Sequence, residues 1–279
     1  MASSSISSDP EKTTALPQFE HPELMQEIVQ EGLILGGGAA AILLQVANPG
    51  VAQGVDNHSN FSYRPLDRLR TTMTYVYCMT FGTPEEKRQV VEMVHRAHAP
   101  VQGADYNAND AGLQVWVAAT LYAVGVDMYE QVFGDMDEDT AERIYREYAV
   151  LAVSLRVRPE QWPADRKAFW AYWDQMIETM EVGDSARNVA KDLLYNKHLP
   201  LYFRVWMPWV RLITAELLPP RLRDAYGLKS TKTRRGAYKA TVSFARATYP
   251  FMPKVLRTWP KRYYLKDMRR RLRAAGHVI

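Results

Sequence analysis

Six histidines, His21, His58, His95, His98, His198 and His277, are the first candidates for chemistry here, because neutral imidazole is the commonest protein ligand for a metal. His95 and His98 share the stretch VVEMVHRAHAPVQG, in which Val91, Val94, His98 and Val101 recur at three- and four-residue spacing. That is one stripe of a helix, so His98 is expected to face inward and His95, off the stripe, to lie nearer the surface. An inward imidazole can be a metal ligand or a core histidine bonded to a backbone carbonyl; spacing does not separate the two. The pair could form half of a zinc site, but the HExxH and HxxxH spacings of zinc helices are absent.

Two further groups carry potential chemistry. Arg68, Arg70, Thr71 and Thr72 put two guanidiniums and two hydroxyls within about one turn of a helix, usually the make-up of a solvated face. Their interest is position: one helix hairpin separates them from His98, so a cation and a hydroxyl could face an imidazole across a pocket. The run Gly36-Gly37-Gly38 invites a dinucleotide reading, with Asp56 about 20 residues on. That site needs a strand on either side of the glycine turn, and Pro49, Gly50 and Gly54 interrupt the second. Close helix packing, or close approach to a flat cofactor at Gly37, fits the glycines better. No nucleophile elbow, Walker loop or CxxC is present.

The elements that would position these groups are helical throughout, and strand-type alternation is missing. Helices are expected from Pro22 to about Gly36, Gly38 to Val46, Pro65 to Phe81, Asp110 to Val132, Asp139 to Arg156, Arg166 to Met180, Ala186 to Leu194 and Pro200 to Leu217. Thr83-Pro84-Glu85-Glu86 starts the helix carrying His98: Thr83 as N-cap, Pro84 at the first position, Glu86 closing a capping box. The apolar run Gly32 to Ala47 is about 16 residues, shorter than the roughly 20 that a spanning helix needs.

The polar first 20 residues or so lack a signal-peptide pattern and read as a disordered leader of a cytoplasmic protein. One cysteine, Cys78, excludes an internal disulfide. From Lys229 onward, 15 Lys and Arg stand against one acid, Asp267, so the tail carries about +14 and the rest about −10 of the +4 total. Aromatic residues interleave with these cations. Such a tail suits a packed solvated face or a peripheral contact with an intracellular membrane, and no nucleic-acid motif accompanies it. The expected organisation is a leader over 1–20, one helical domain over 21–228 and a basic extension over 229–279 packed on it.

Taken in order, GGGAAAILLQVANPGVAQGVDNHSNF, PLDRLRTTMTYV, VVEMVHRAHAPVQG and YNANDAGLQVWVAATL resemble the rubber-oxygenase type family (DUF2236), and the likeness extends to ITAELLPPRLRDAYGL. The family contains bacterial latex-clearing proteins and the fungal oxygenase of the mycophenolic acid pathway. The resemblance implies an all-α, single-domain bundle enclosing haem b, an oxidative enzyme using dioxygen or peroxide, and a hydrophobic small-molecule substrate from specialised metabolism. It implies His98 as the iron ligand and Arg68, Thr71 and Thr72 as distal catalytic groups. Arg68, Gly37 and His58 join His98 as cofactor-binding candidates. Thr71 departs from the family pattern, which has a lysine able to reach iron; a five-coordinate or water-bound iron is expected instead. Ala118 stands where many relatives carry histidine. A non-catalytic haem- or lipid-binding protein attached to membranes, and a nucleotide-cofactor enzyme, are the competing readings.

Overall fold

The computed structural model describes residues 22–58, 65–196 and 199–275; the leader expected over 1–20 lies outside them. The chain enters through α1 (Glu23–Val29) and a 3-10 segment, Gly32–Gly37, instead of one helix reaching Gly36. The break falls at Glu31, which is extended and buried, its carboxylate held by Arg257 at 3.0 Å. There follow α2 (Gly38–Ala47) and α3 (Pro49–His58). The sequence reading has no helix at α3, because Pro49, Gly50 and Gly54 look like interruptions. Asn48 Oδ1 accepts hydrogen bonds from Gly50 N at 2.9 Å and Val51 N at 3.4 Å, and proline at the first position has no N–H to leave unpaired.

Next come α4 (Pro65–Phe81), α5 (Pro84–His98) and α6 (Ala111–Phe133). α5 starts with both capping-box bonds in place: Thr83 N donates to Glu86 Oε2 at 2.9 Å and Glu86 N to Thr83 Oγ1 at 3.2 Å. α6 is capped by Asp110, which accepts from Leu113 N at 3.0 Å. α7 (Glu138–Tyr148) and α8 (Val150–Val153) replace the single helix expected to Arg156, whose φ of 69° lies in the left-handed region that ends helices. The rest is α9 (Arg166–Thr179), α10 (Asp184–Leu194), α11 (Leu201–Arg204), α12 (Met207–Leu217), α13 (Pro220–Ala225), α14 (Lys232–Thr248), α15 (Lys254–Arg257) and α16 (Trp259–Ala275).

Among the described residues there is no strand, only an isolated bridge between Gln102 and Asn107, so the fold is all-α. That also corrects the dinucleotide reading, since no strand flanks the glycine run. By length and composition α6 could cross a membrane, as could α1 taken with Gly32–Ala47 as one bent pair. Within the structure α6 is a core helix: 61% of its apolar window is buried, and the Gly32–Gly37 segment, α2 and α14 pack around it. Its Trp116 and Tyr122 are fully enclosed, with ring centroids 5.2 Å from Trp173 and 4.8 Å from Phe169 respectively. α10 covers α2 and α3, and α16 lies along α4.

Gly37 occupies the tightest of these contacts. A Cβ there would stand 2.5 Å from Val124 Cγ1 and 3.0 Å from Met128 Cγ, both on α6, whereas a Cβ at Gly38 would meet nothing within 4 Å. Gly37→Ala should therefore destabilise the protein by about 1–3 kcal/mol in urea unfolding. Gly38→Ala, in ordinary helical backbone, should be neutral or gain up to about 1 kcal/mol. Equal midpoints for the two variants would contradict this packing.

Candidate functional site

α3, α4, α5 and α6 supply most of the walls of a partly open cavity of about 250 Å³. α5 contributes Val94, Ala97 and His98, as the stripe predicts, with Val101 just beyond. α4 contributes Thr71, Thr72 and Tyr75, the spacing of one helix face. α3 lends Gly50, Val51, Gly54, Val55 and His58, and α6 lends Leu113, Gln114, Val117, Ala118 and Leu121. Among the described side chains lining the space there is no Lys, Arg, Asp or Glu.

Of the expected site residues, His98, Thr71, Thr72 and His58 are thus brought to one cavity by three different helices. Arg68 falls one turn before Thr71 and Thr72 on α4, and its side chain lies outside the described residues. Gly37 is not among the residues around the cavity; its close approach is to Val124 and Met128 instead. Ala118 contributes a methyl group to the wall, nothing polar, and is 2% exposed.

The polar groups absent from the sequence reading are Gln45, Tyr75, Tyr106 and Gln114. Tyr75 was legible in principle, since it follows Thr71 and Thr72 by four and three residues. Its hydroxyl donates to the Leu151 carbonyl at 2.9 Å, and burial pushes its pKa far above the ordinary value, so it stays a protonated donor. Gln45 donates to Thr120 Oγ1 at 3.0 Å and Gln114 to the Ala108 carbonyl at 3.2 Å, so their amides brace the wall. Tyr106 comes from the loop after α5, which folds back through bonds from Gly103 N to Tyr106 O and Ala108 N to Val101 O, both 2.9 Å. Its hydroxyl lies 2.8 Å from His58 Nε2 and accepts from Asn57 Nδ2 at 3.2 Å, tying the end of α3 to that loop.

The same loop changes the expected setting of His95. Its imidazole does not stand out at the surface: Nε2 is enclosed without a hydrogen-bond partner, and Nδ1 lies 3.5 Å from Asn109 Oδ1. Desolvation, then the charge of Arg156, lowers its pKa below the ordinary 6.5. The folded protein consequently binds this proton less readily than the unfolded chain. Stability present above pH 6.5 is lost as the pH falls through the lower folded value. His95→Gln should therefore show a shallower fall in Tm than the parent between about pH 7 and about pH 5. Superimposable Tm–pH curves would remove His95 as a source of acid sensitivity.

Over residues 25–247 the chain matches the family described as ER-bound oxygenase mpaB/B'/Rubber oxygenase, catalytic domain. It is also 31% identical over 254 residues to uncharacterized proteins of Mycobacterium bovis and Mycobacterium tuberculosis, an alignment covering 86% of this chain and 98% of each relative. No solved structure matches it. The family match spans most of the helical body and all four helices around the cavity, and the chain belongs to the ER-bound oxygenase and rubber oxygenase catalytic-domain family.

Proposed function

We propose that this protein is a haem b-dependent oxygenase that holds iron through His98 and oxidises a hydrophobic small molecule in the cavity beside it. The observation that carries the reading is the meeting of His98 from α5 with the Thr71 and Thr72 hydroxyls from α4 in one cavity, whose walls are largely apolar and whose other polar groups are Gln45, His58, Tyr75, Tyr106 and Gln114. Among the described residues no three His, Cys, Asp or Glu side chains come together around an ion, so an all-protein metal centre is not built. Haem needs only one imidazole from the protein, because its porphyrin supplies four nitrogens itself, and His98 on the cavity wall would be that donor. Ala97 and Ala118 present only methyl groups to the cavity, while Gly50 and Gly54 let Leu113, Val101 and Tyr106 pack closely against α3.

When bound, the haem would supply the oxidising chemistry with dioxygen or peroxide. The chain's own residues do the rest. His98 holds the iron from the end of α5. Thr71 and Thr72 would donate hydrogen bonds to oxygen atoms within the cavity, and the cationic role is assigned to Arg68, one turn earlier on the same helix. Val51, Val55, Leu121, Leu151 and Leu155 exclude water and select an apolar substrate, such as an unsaturated or aromatic metabolite. Thr71 has no amine with which to ligate iron, so this position would supply a hydroxyl to the cavity and not a second iron ligand.

The absorption spectrum of protein expressed with ample haem precursor, or reconstituted with hemin, tests this directly. The parent should show a Soret band, His98→Ala should lose it, and His95→Ala should largely keep it; equal haem in the two variants would refute the ligand assignment. Thr72→Val should retain haem while slowing substrate-dependent oxygen or peroxide consumption by on the order of 10- to 100-fold.

A further inference from the structure

We infer that the helical corner from the end of α14 to the start of α16 is a docking surface for an anionic lipid bilayer. The corner is anchored from within. Tyr249 OH accepts from Leu33 N at 3.1 Å, and Arg257 bonds Glu31 at 3.0 Å while its guanidinium lies 5.5 Å and 5.7 Å from the Phe133 and Tyr249 ring centroids. Thr258, at the junction of α15 and α16, is buried, and the Gly32 backbone abuts the Arg257 carbonyl and the Pro260 ring.

With the inner side fixed, the outer side holds large apolar groups in solvent. Phe251 is 85% exposed, Val255 60%, Leu256 57% and Trp259 57%, with Met252 and Tyr263 also exposed. Met252, Val255, Leu256, Trp259 and Tyr263 follow one another at one- to four-residue steps, and the Trp259 and Tyr263 rings stack at 5.3 Å. A soluble protein rarely keeps such a group in water on an anchored backbone unless something covers it.

Charge identifies the cover. No Asp or Glu occurs from residue 225 to residue 266, while Lys254, Arg262 and Lys266 are exposed close in sequence to these apolar side chains and Lys261, half-buried, lies over the Phe81 ring. Among the described residues none of these four is ion-paired with a carboxylate. Along α16 an open groove is bordered by Arg262, Lys266, Arg269, Arg270 and Arg273, of which Arg269 is paired with Glu86 and Arg270 with Asp267. Crowded positive charge beside projecting Trp, Tyr, Phe, Leu and Val fits a bilayer interface, where phosphate headgroups meet the cations and the acyl boundary takes the apolar tips. Nucleic acid would also meet the cations, but it offers nothing to Met252, Val255 and Leu256.

The test is sedimentation of the full chain with vesicles of phosphatidylcholine alone or with added phosphatidylserine, at low and physiological salt. The protein should pellet with the phosphatidylserine vesicles, remain in solution with phosphatidylcholine alone, and bind less as salt rises. Lys254→Glu with Lys266→Glu should weaken binding by on the order of tenfold or more. Phe251→Ser with Leu256→Ser should weaken it comparably, and both pairs of changes, being at exposed positions, should leave circular dichroism and Tm unaltered. The proposal is overturned if the parent does not bind phosphatidylserine vesicles, or if either folded variant binds like the parent. It is equally overturned if the parent retains duplex DNA but not vesicles at the same salt.

Discussion

A helix that is apolar all round has to be enclosed on every side, and in this chain that requirement falls on α6. Its length would suit a bilayer, yet the chain wraps it in protein: the Gly32–Gly37 segment and α2 on one flank, α14 on another, and the Trp162–Phe169–Trp173 aromatic group around Trp116 and Tyr122. Glycine at 37 lets the backbone approach close enough to seal the Val124–Met128 side. The cavity arises where enclosure is incomplete. Along Leu113, Val117, Ala118 and Leu121 the neighbouring helices stand off from α6 and leave about 250 Å³ between them.

This origin explains the chemistry of the site. A gap between packed apolar faces has largely apolar walls, and separate segments bring the polar groups to it: His98 from the last turn of α5, Thr71, Thr72 and Tyr75 from α4, His58 from the end of α3, Gln45 from α2, Gln114 from α6 and Tyr106 from the loop after α5. The amides of Gln45 and Gln114 are already occupied in bracing the wall, and Tyr75 is held by the Leu151 carbonyl. α5 is in turn fixed at its start by the Thr83–Glu86 box, and Glu86 also receives Arg269 of α16 at 2.8 Å and 3.2 Å. That bidentate contact links the helix carrying His98 to the basic end of the chain. The catalytic body and the cationic corner are thus parts of one packed unit rather than a domain with a loose appendage.

Local rules made much of this legible in advance. α4 and the start of α5 follow from Pro65, Thr83, Pro84 and Glu86, because caps act over three or four residues and need no distant partner. The inward setting of His98 follows from its stripe of valines, since helical periodicity alone decides which residues share a face. The all-α class followed from the missing alternation, and the family from four ordered segments that jointly span the cavity.

What remained depended on contacts between segments far apart in sequence. α3 looked like an interruption because Gly50 and Gly54 have poor helix propensity, and it forms where α10 and α2 pack against it. The helix expected to run from Pro22 to Gly36 breaks because Glu31 meets an arginine 226 residues away. His95 is half-buried, with Nε2 closed off from water and Nδ1 beside Asn109 of a loop whose fold-back no periodicity records, and Gly37 meets α6 instead of the cavity. Residue order alone set the caps and most of the helices, and placed Val94 and His98 on one side of α5, because those follow from neighbours within a turn or two. Only the tertiary structure decided which faces enclose empty space and which hold apolar side chains in water, because both depend on how separate helices fit together.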